Sequence, residues 1–138
     1  MNHLSLLAFG ALLCAGIATS LHASTPDTPK EFKDAEEMVV KLFKAYNKDD
    51  AKGVFENYID AFKNMPDALW NALFKPNKDK FGNYKSHTFV KDGSVATEDN
   101  ILLVINVEFE KGKDIKVGVN LSKDGKAWKI QQVLFDVK

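Results

Sequence analysis

Arginine is absent from the 138 residues of this chain: the nineteen basic side chains are all lysine, and nineteen Asp and Glu residues bring the formal charge to zero. That balance argues against a nucleic-acid partner, because binding phosphates draws on a net basic face and usually on the bidentate guanidinium fork. The best side chain for clamping a phosphate or carboxylate substrate is missing with it. Cysteine is nearly absent too. Cys14 stands alone within the segment Met1 to Ala23, so a chain cut after that segment has no disulfide, no thiol nucleophile and no thiolate metal ligand. Its stability must come from packing. Long apolar runs are limited to one, Leu4 to Ile17, which carries no charge and ends in the small and polar residues up to Leu21-His22-Ala23. This is the pattern of a secretory signal peptide. The run is shorter than the roughly 20 residues a spanning helix needs. Leu13, where lipidation signals carry a small residue, argues against a lipid anchor at Cys14. The expectation is removal of residues 1–23, a polar leader over 24–30, a single domain over 31–138, and a periplasmic or secreted location without a membrane anchor after processing.

Catalytic and metal motifs are also missing. There is no glycine-rich phosphate loop and no serine elbow. "NKDKFGNYKSHT" begins like a calcium loop with Asn77, Asp79 and Gly82, but Phe81 stands where an oxygen ligand belongs and Thr88 replaces the closing glutamate. No metal and no cofactor is expected.

What the chain does have is pattern. "STPDTPKE" supplies a helix start, with Thr28 as N-cap, Pro29 at the first helical position and Glu31 closing a capping box. Phe32, Ala35, Met38, Val39, Leu42, Phe43 and Tyr46 then recur at helical spacing. After "NKDD", where Asp49 or Asp50 can cap, Ala51, Val54, Phe55, Tyr58, Ile59 and Phe62 form a second apolar stripe. A third, shorter helix fits "MPDALWNALFK", begun near Pro66 and ended by Pro76, with either Met65, Leu69 and Leu73 or Trp70 and Phe74 facing inward. From Tyr84 the period changes to two, and turn signals at Lys91–Gly93, Glu98–Asn100, Glu110–Lys113 and Lys123–Lys126 divide the remainder into five antiparallel strands. Trp128 and Ile130 lie on one parity and Val133, Phe135 and Val137 on the other, so a bulge is expected near Gln131 and Gln132. Gly82 reads as a positive-φ turn between helices and sheet, with Phe81 and Tyr84 wedged into the seam.

Three helices followed by such a sheet, with "FGNYKS", "ILLVINVEF" and "DGKAWKIQQVLF", resemble small exported members of the nuclear transport factor two-like superfamily, also described as cystatin-like α+β folds. The likeness spans roughly Ala35 to Val137 and rests on fold motifs. It implies amino-terminal helices packed on a curved antiparallel sheet of about five strands, cone-shaped, around a pocket used for ligands, catalysis or oligomer contacts; fold alone does not choose among these.

Enzymes of that superfamily resembling ketosteroid isomerase use a pocket carboxylate as base, which requires carboxylates on apolar faces. By helical spacing Asp34, Glu36, Glu37, Glu56 and Asp60 fall on polar faces, while Asp92, Asp99 and Asp124 fall in turns. His87 is the one histidine beyond the signal segment, and without an acid nearby in sequence it reads as a partly exposed strand residue. The reading that follows is an exported, non-catalytic module that binds a small apolar ligand or a partner protein, with Tyr58, Phe62, Trp70, Phe74, Tyr84, His87 and Phe109 as candidates to line its pocket. Two alternatives stand beside it. One is an isomerase- or hydratase-type enzyme using Tyr58 or Tyr84 with His87 or Asp136; the other is a structural domain that dimerises through its exposed sheet face, a possible homodimer.

Overall fold

The computed structural model describes residues 28–137; the expected signal segment and the leader up to Asp27 lie outside them. The fold is α+β, with helices packed against a five-stranded antiparallel sheet that is not closed. None of the helices among the described residues is long and apolar enough to cross a membrane.

Helix α1 (Lys33–Asn47) follows one 3-10 turn at Lys30–Phe32. The expected capping box does not form. No side chain caps the turn at Pro29; Thr28 is buried and donates its hydroxyl to Glu36, eight residues on and two turns along the helix. α1 buries Ala35, Val39, Leu42, Phe43 and Tyr46, as its spacing requires, and it also buries Glu36. α2 (Ala51–Phe55) is capped by Asp50, whose carboxylate accepts the Gly53 N–H at 3.1 Å. It stops well short of the apolar stripe's end at Phe62. The chain instead extends over Asn57–Ile59 and pairs in parallel with one residue of the sheet edge: Ile130 N–H donates to the Asn57 carbonyl and Ile59 N–H to the Ile130 carbonyl. Part of that open edge is thereby covered.

The third helical segment runs on past Pro76, against expectation. It consists of α3 (Pro66–Leu69), a π turn at Trp70–Phe74 and α4 (Lys75–Phe81). A π turn shifts the hydrogen-bond register by one residue, which leaves Pro76 in a position equivalent to a helix's first turn, where a missing N–H costs little. The Leu73 carbonyl takes the Asn77 side-chain amide at 3.1 Å. Trp70 and Phe74 face inward, while Met65 and Leu73 are exposed.

The segment ends at Gly82, with φ 79° and ψ −159°, a region open essentially to glycine alone. The positive-φ turn read from the sequence is therefore present. The sheet follows: β1 (Tyr84–Phe89), β2 (Val95–Ala96), β3 (Asn100–Phe109), β4 (Gly112–Asp124) and β5 (Ala127–Phe135). β3, β4 and β5 are neighbours in order, while β1 and β2 share the other edge of β3. The β4–β5 register shifts with Gln131 as the extra residue, since Asn120 faces Gln132 and Leu121 faces Ile130. This is the bulge the parity change called for. A second bulge, not legible beforehand, puts Lys85 out of register between Tyr84, opposite Phe109, and Ser86, opposite Glu108.

Aromatic rings fill the space between helices and sheet. Phe43 stacks on Tyr84 at 4.6 Å and 7° and meets Tyr46 and Phe109 edge-on. Phe55 leans on Tyr58 at 4.8 Å, Trp70 stacks on Phe74 at 5.8 Å, and Phe81 stacks on Phe109 at 5.4 Å. Edge-to-face and offset pairs of this kind add about 0.5 to 1.5 kcal/mol each beyond the area they bury.

Candidate functional site

The Lys85 bulge decides which side chains of β1 point inward. With strict alternation Tyr84 and His87 would lie on opposite faces; the extra residue brings both beneath the helices. Stacking against Phe43 fixes the Tyr84 ring, and its hydroxyl lies 2.6 Å from His87 Nδ1. His87 Nε2 lies 2.6 Å from Glu36 Oε2, which also accepts the Thr28 hydroxyl at 3.1 Å. Thr28, Glu36, His87 and Tyr84 are buried at 4, 0, 8 and 7% exposure. His87 is therefore neither a lone histidine nor a partly exposed one, and Glu36 does not belong to the polar face. The spacing Phe32–Glu36–Val39–Phe43 places this carboxylate within the inward row of α1, the signal that its charge obscures.

Hydrogen-bond parity orders the string. If the Glu36 carboxylate accepts from Nε2–H, a neutral ring leaves Nδ1 to accept, and the Tyr84 hydroxyl then donates. Burial pushes the Tyr84 hydroxyl well above the ordinary tyrosine value and the Glu36 charge pushes it further, in keeping with a phenol that holds its proton. The arrangement has the residue types of an acid–base relay. Its members engage one another between helices and sheet, and His87 also borders a small recess of about 150 Å³ with Ser86, Thr88 and Asn106.

The other sequence candidates are placed as follows. Tyr58, Phe74 and Phe109 are buried at 2, 1 and 2% exposure within the ring cluster, and Phe62 is half-buried with its edge on Tyr58. Burial raises the Tyr58 hydroxyl above its ordinary value. Asp136 is exposed, on a left-handed residue at φ 58°, and reaches no other candidate. Trp70 combines a core position with a place in a larger recess.

That recess is a cleft of about 550 Å³ assembled from four segments. The end of α1 contributes Asp49, the π turn and α4 contribute Trp70, Asn71, Lys75, Lys78 and Asp79, the glycine turn contributes Gly82 and Asn83, and the β3–β4 turn contributes Glu110 and Lys111. The stretch that carries the glycine-aromatic turn thus forms one wall of a surface cleft as well as the hinge between helices and sheet. Much of the wall is already tied down. Lys78 donates to the Tyr46 and Asn47 carbonyls at 2.8 and 3.2 Å and to Asp49 at 2.7 Å, closing the carboxyl end of α1 with a cation. Lys75 pairs with Asp79 at 3.2 Å. Glu110 Oε1 accepts the Asn83 N–H at 2.8 Å. Behind the wall the Tyr46 hydroxyl donates to the Gly82 carbonyl at 2.9 Å. Burial first, and then the charges of Asp49, Asp79 and Glu110, raise that hydroxyl far above its ordinary value. All three carboxylates line the cleft. No group of His, Cys, Asp or Glu among the described residues is arranged to hold a metal ion.

Neither a protein-family model nor a curated protein matches the chain. Among solved structures, that of the Bdellovibrio bacteriovorus protein Bd1075 is similar with a TM-score of 0.43 and 15% identity, over 80% of this chain and 44% of that one. The chain thus spans under half of that neighbour's length, and a likeness at this level carries no functional argument.

Proposed function

We propose that this chain is an exported, non-catalytic binding module that meets its ligand at the surface cleft beside Gly82 and not between helices and sheet. One observation carries the reading: the rings available to line an interior pocket are packed on one another, while a recess of about 550 Å³ on the described surface is polar and built from four separate segments. Its volume falls within the few hundred to about 1,000 Å³ of small-molecule sites. The acid–base string supports the non-catalytic half of the reading, since its donors and acceptors are engaged with one another away from that recess. Export is supported by the uncharged run Leu4 to Ile17, and mass spectrometry of protein made in its host should find about 23 residues removed.

The binding reading is tested by two-dimensional NMR of the ¹⁵N-labelled protein against a library of small polar and apolar molecules. Binders should shift the amides of Asn71, Asn83 and Lys111. Saturable shifts confined to Phe43, Val107 and Phe109 would place the ligand inside instead. Turnover of a bound molecule that disappears in His87→Gln would make the chain an enzyme.

A further inference from the structure

We infer that the cleft beside Gly82 takes a zwitterion, a free amino acid or short peptide presenting an ammonium and a carboxylate, with Lys111 receiving the carboxylate and Glu110 the ammonium. The inference rests on the surface-binding reading above and gives its ligand a chemical class.

The cleft leaves one charge of each sign uncommitted. Lys75, Lys78 and Lys111 face Asp49, Asp79 and Glu110, three charges of each sign, so the cleft as a whole favours neither a net anion nor a net cation. Two of the lysines are committed, Lys75 to Asp79 and Lys78 to Asp49 and the end of α1. Lys111 is exposed, and no hydrogen bond or ion pair engages its ammonium among the described residues. On the acidic side Glu110 gives one oxygen to the Asn83 N–H, which leaves the other for a donor.

Gly82 sets these two side chains side by side. A β-carbon built on it would stand 3.0 Å from Glu110 Cβ, 3.0 Å from Glu110 Oε1 and 3.5 Å from Lys111 Cγ. The carboxylate and the lysine stem therefore lie against the same bare patch of backbone, and two backbone bonds hold the turn that carries them: Glu110 N–H to the Asn83 carbonyl at 2.9 Å and Lys111 N–H to the Phe81 carbonyl at 2.8 Å. A fixed carboxylate beside the stem of a lysine whose ammonium is unengaged, in a recess of no net charge, is complementary to the reverse pair on one ligand. Charge-assisted hydrogen bonds to both ends discriminate against a ligand that lacks either. The amides of Asn71 and Asn83, whose side chains are also unengaged among the described residues, can read a peptide group between them.

The experiment titrates the protein with glycylglycine, N-acetylglycylglycine and glycylglycinamide, followed by the amide shifts of Asn83 and Lys111. Glycylglycine should bind about tenfold tighter than either blocked form, the size of one charge-assisted hydrogen bond. Lys111→Met should abolish the advantage of glycylglycine over glycylglycinamide, and Glu110→Gln, which preserves an acceptor for Asn83, should abolish its advantage over N-acetylglycylglycine. Equal affinity for glycylglycine and one blocked form, or no shift at the cleft with any of the three, overturns the zwitterion. Cleft shifts with other library members would then leave the surface-binding reading standing, whereas shifts at core amides would remove both.

Discussion

Two clusters of titratable side chains adjoin the same short stretch of chain, Gly82 to His87, and they differ in water. On the inner side Tyr84 and His87 reach Glu36 and Thr28, all four at 8% exposure or less. On the outer side Gly82 and Asn83 border three lysines and three carboxylates, all exposed except Lys78, which is half-buried. A carboxylate beside a basic group at 2.6 Å under the sheet and one at 3.2 Å on α4 look alike as contacts. Their consequences differ, because removing one partner of a buried pair leaves a group that nothing can solvate, while water replaces a lost surface partner at once. Residue type therefore does not mark function here. The dry cluster is committed to holding β1 onto α1, and the wet one retains groups with free valence.

The largest effect should come from breaking the dry cluster at its centre. Glu36→Ala removes the acceptor shared by His87 and Thr28 and leaves a void in the inward row of α1. The expected loss is about 3 to 5 kcal/mol, a large share of the stability of a domain of this size. Denaturant melts of the variant and parent give the figure; a loss under about 1 kcal/mol would mean that the cluster is as replaceable as a surface pair.

Gly82→Val strikes the boundary between the two clusters. The residue's φ of 79° with ψ near −159° disfavours any side chain, and the new β-carbon would push on Glu110. Stability should fall by about 1 to 3 kcal/mol, and the Glu110–Lys111 wall should move. The cleft amides should shift while the ring-current-shifted resonances near Phe43 and Tyr84 stay put. A variant that melts like its parent would contradict the turn.

Much of this frame is legible in the residues. The Gly82 turn, the bulge at Gln131, the inward row of α1 and the α+β order all follow from spacing and turn chemistry. Two of the misreadings share a cause, which is that hydrogen-bond registers outside the regular periods are invisible to a periodicity count. The π turn carries the helix through Pro76, and the extra Lys85 moves His87 to the inner face. Glu36 was hidden for another reason: its position in the 3–4 row argued for burial, its charge argued against, and the partner that reconciles them is 51 residues away. The cleft had no signal in the sequence, because Asp49, Trp70, Asn83 and Lys111 come from four segments that only the fold brings together.

Tyr84→Phe tests the dry cluster more gently. It keeps the ring on Phe43 and deletes the donor to His87 Nδ1, so the cost should be about 1 to 2 kcal/mol. The same hydroxyl makes a prediction about pH. In the folded chain Tyr46, Tyr58 and Tyr84 are all held above the ordinary tyrosine value of 10.0. The native state then keeps protons that the unfolded state gives up, so their contribution is fully present below about pH 10 and is lost as pH rises beyond it. Tyrosinate absorbance should appear together with unfolding followed by circular dichroism. Ionisation of all three tyrosines well before unfolding would show that the inner side is wetter than its packing implies.

The smallest effect belongs to Lys75→Ala, the wet counterpart of Glu36→Ala. Lys75 and Asp79 are 54 and 66% exposed along their side chains and sit four residues apart on one helix. The usual worth of such a pair is about 0.3 to 0.5 kcal/mol, reduced further by salt. Alanine is also the better helix former by a few tenths of a kcal/mol, which offsets part of the loss. The melt should therefore move by less than about 0.5 kcal/mol, and the difference should vanish at high ionic strength. What the substitution does change is the charge of the cleft, which becomes net negative by one and frees Asp79 to compete with Glu110 for a ligand's ammonium. Binding of a cation such as glycylglycinamide should strengthen while the fold is untouched. A substantial loss of stability from Lys75→Ala would place this pair with Glu36 and His87 among the groups that hold the domain together, and the division between a dry structural cluster and a wet binding one would fail.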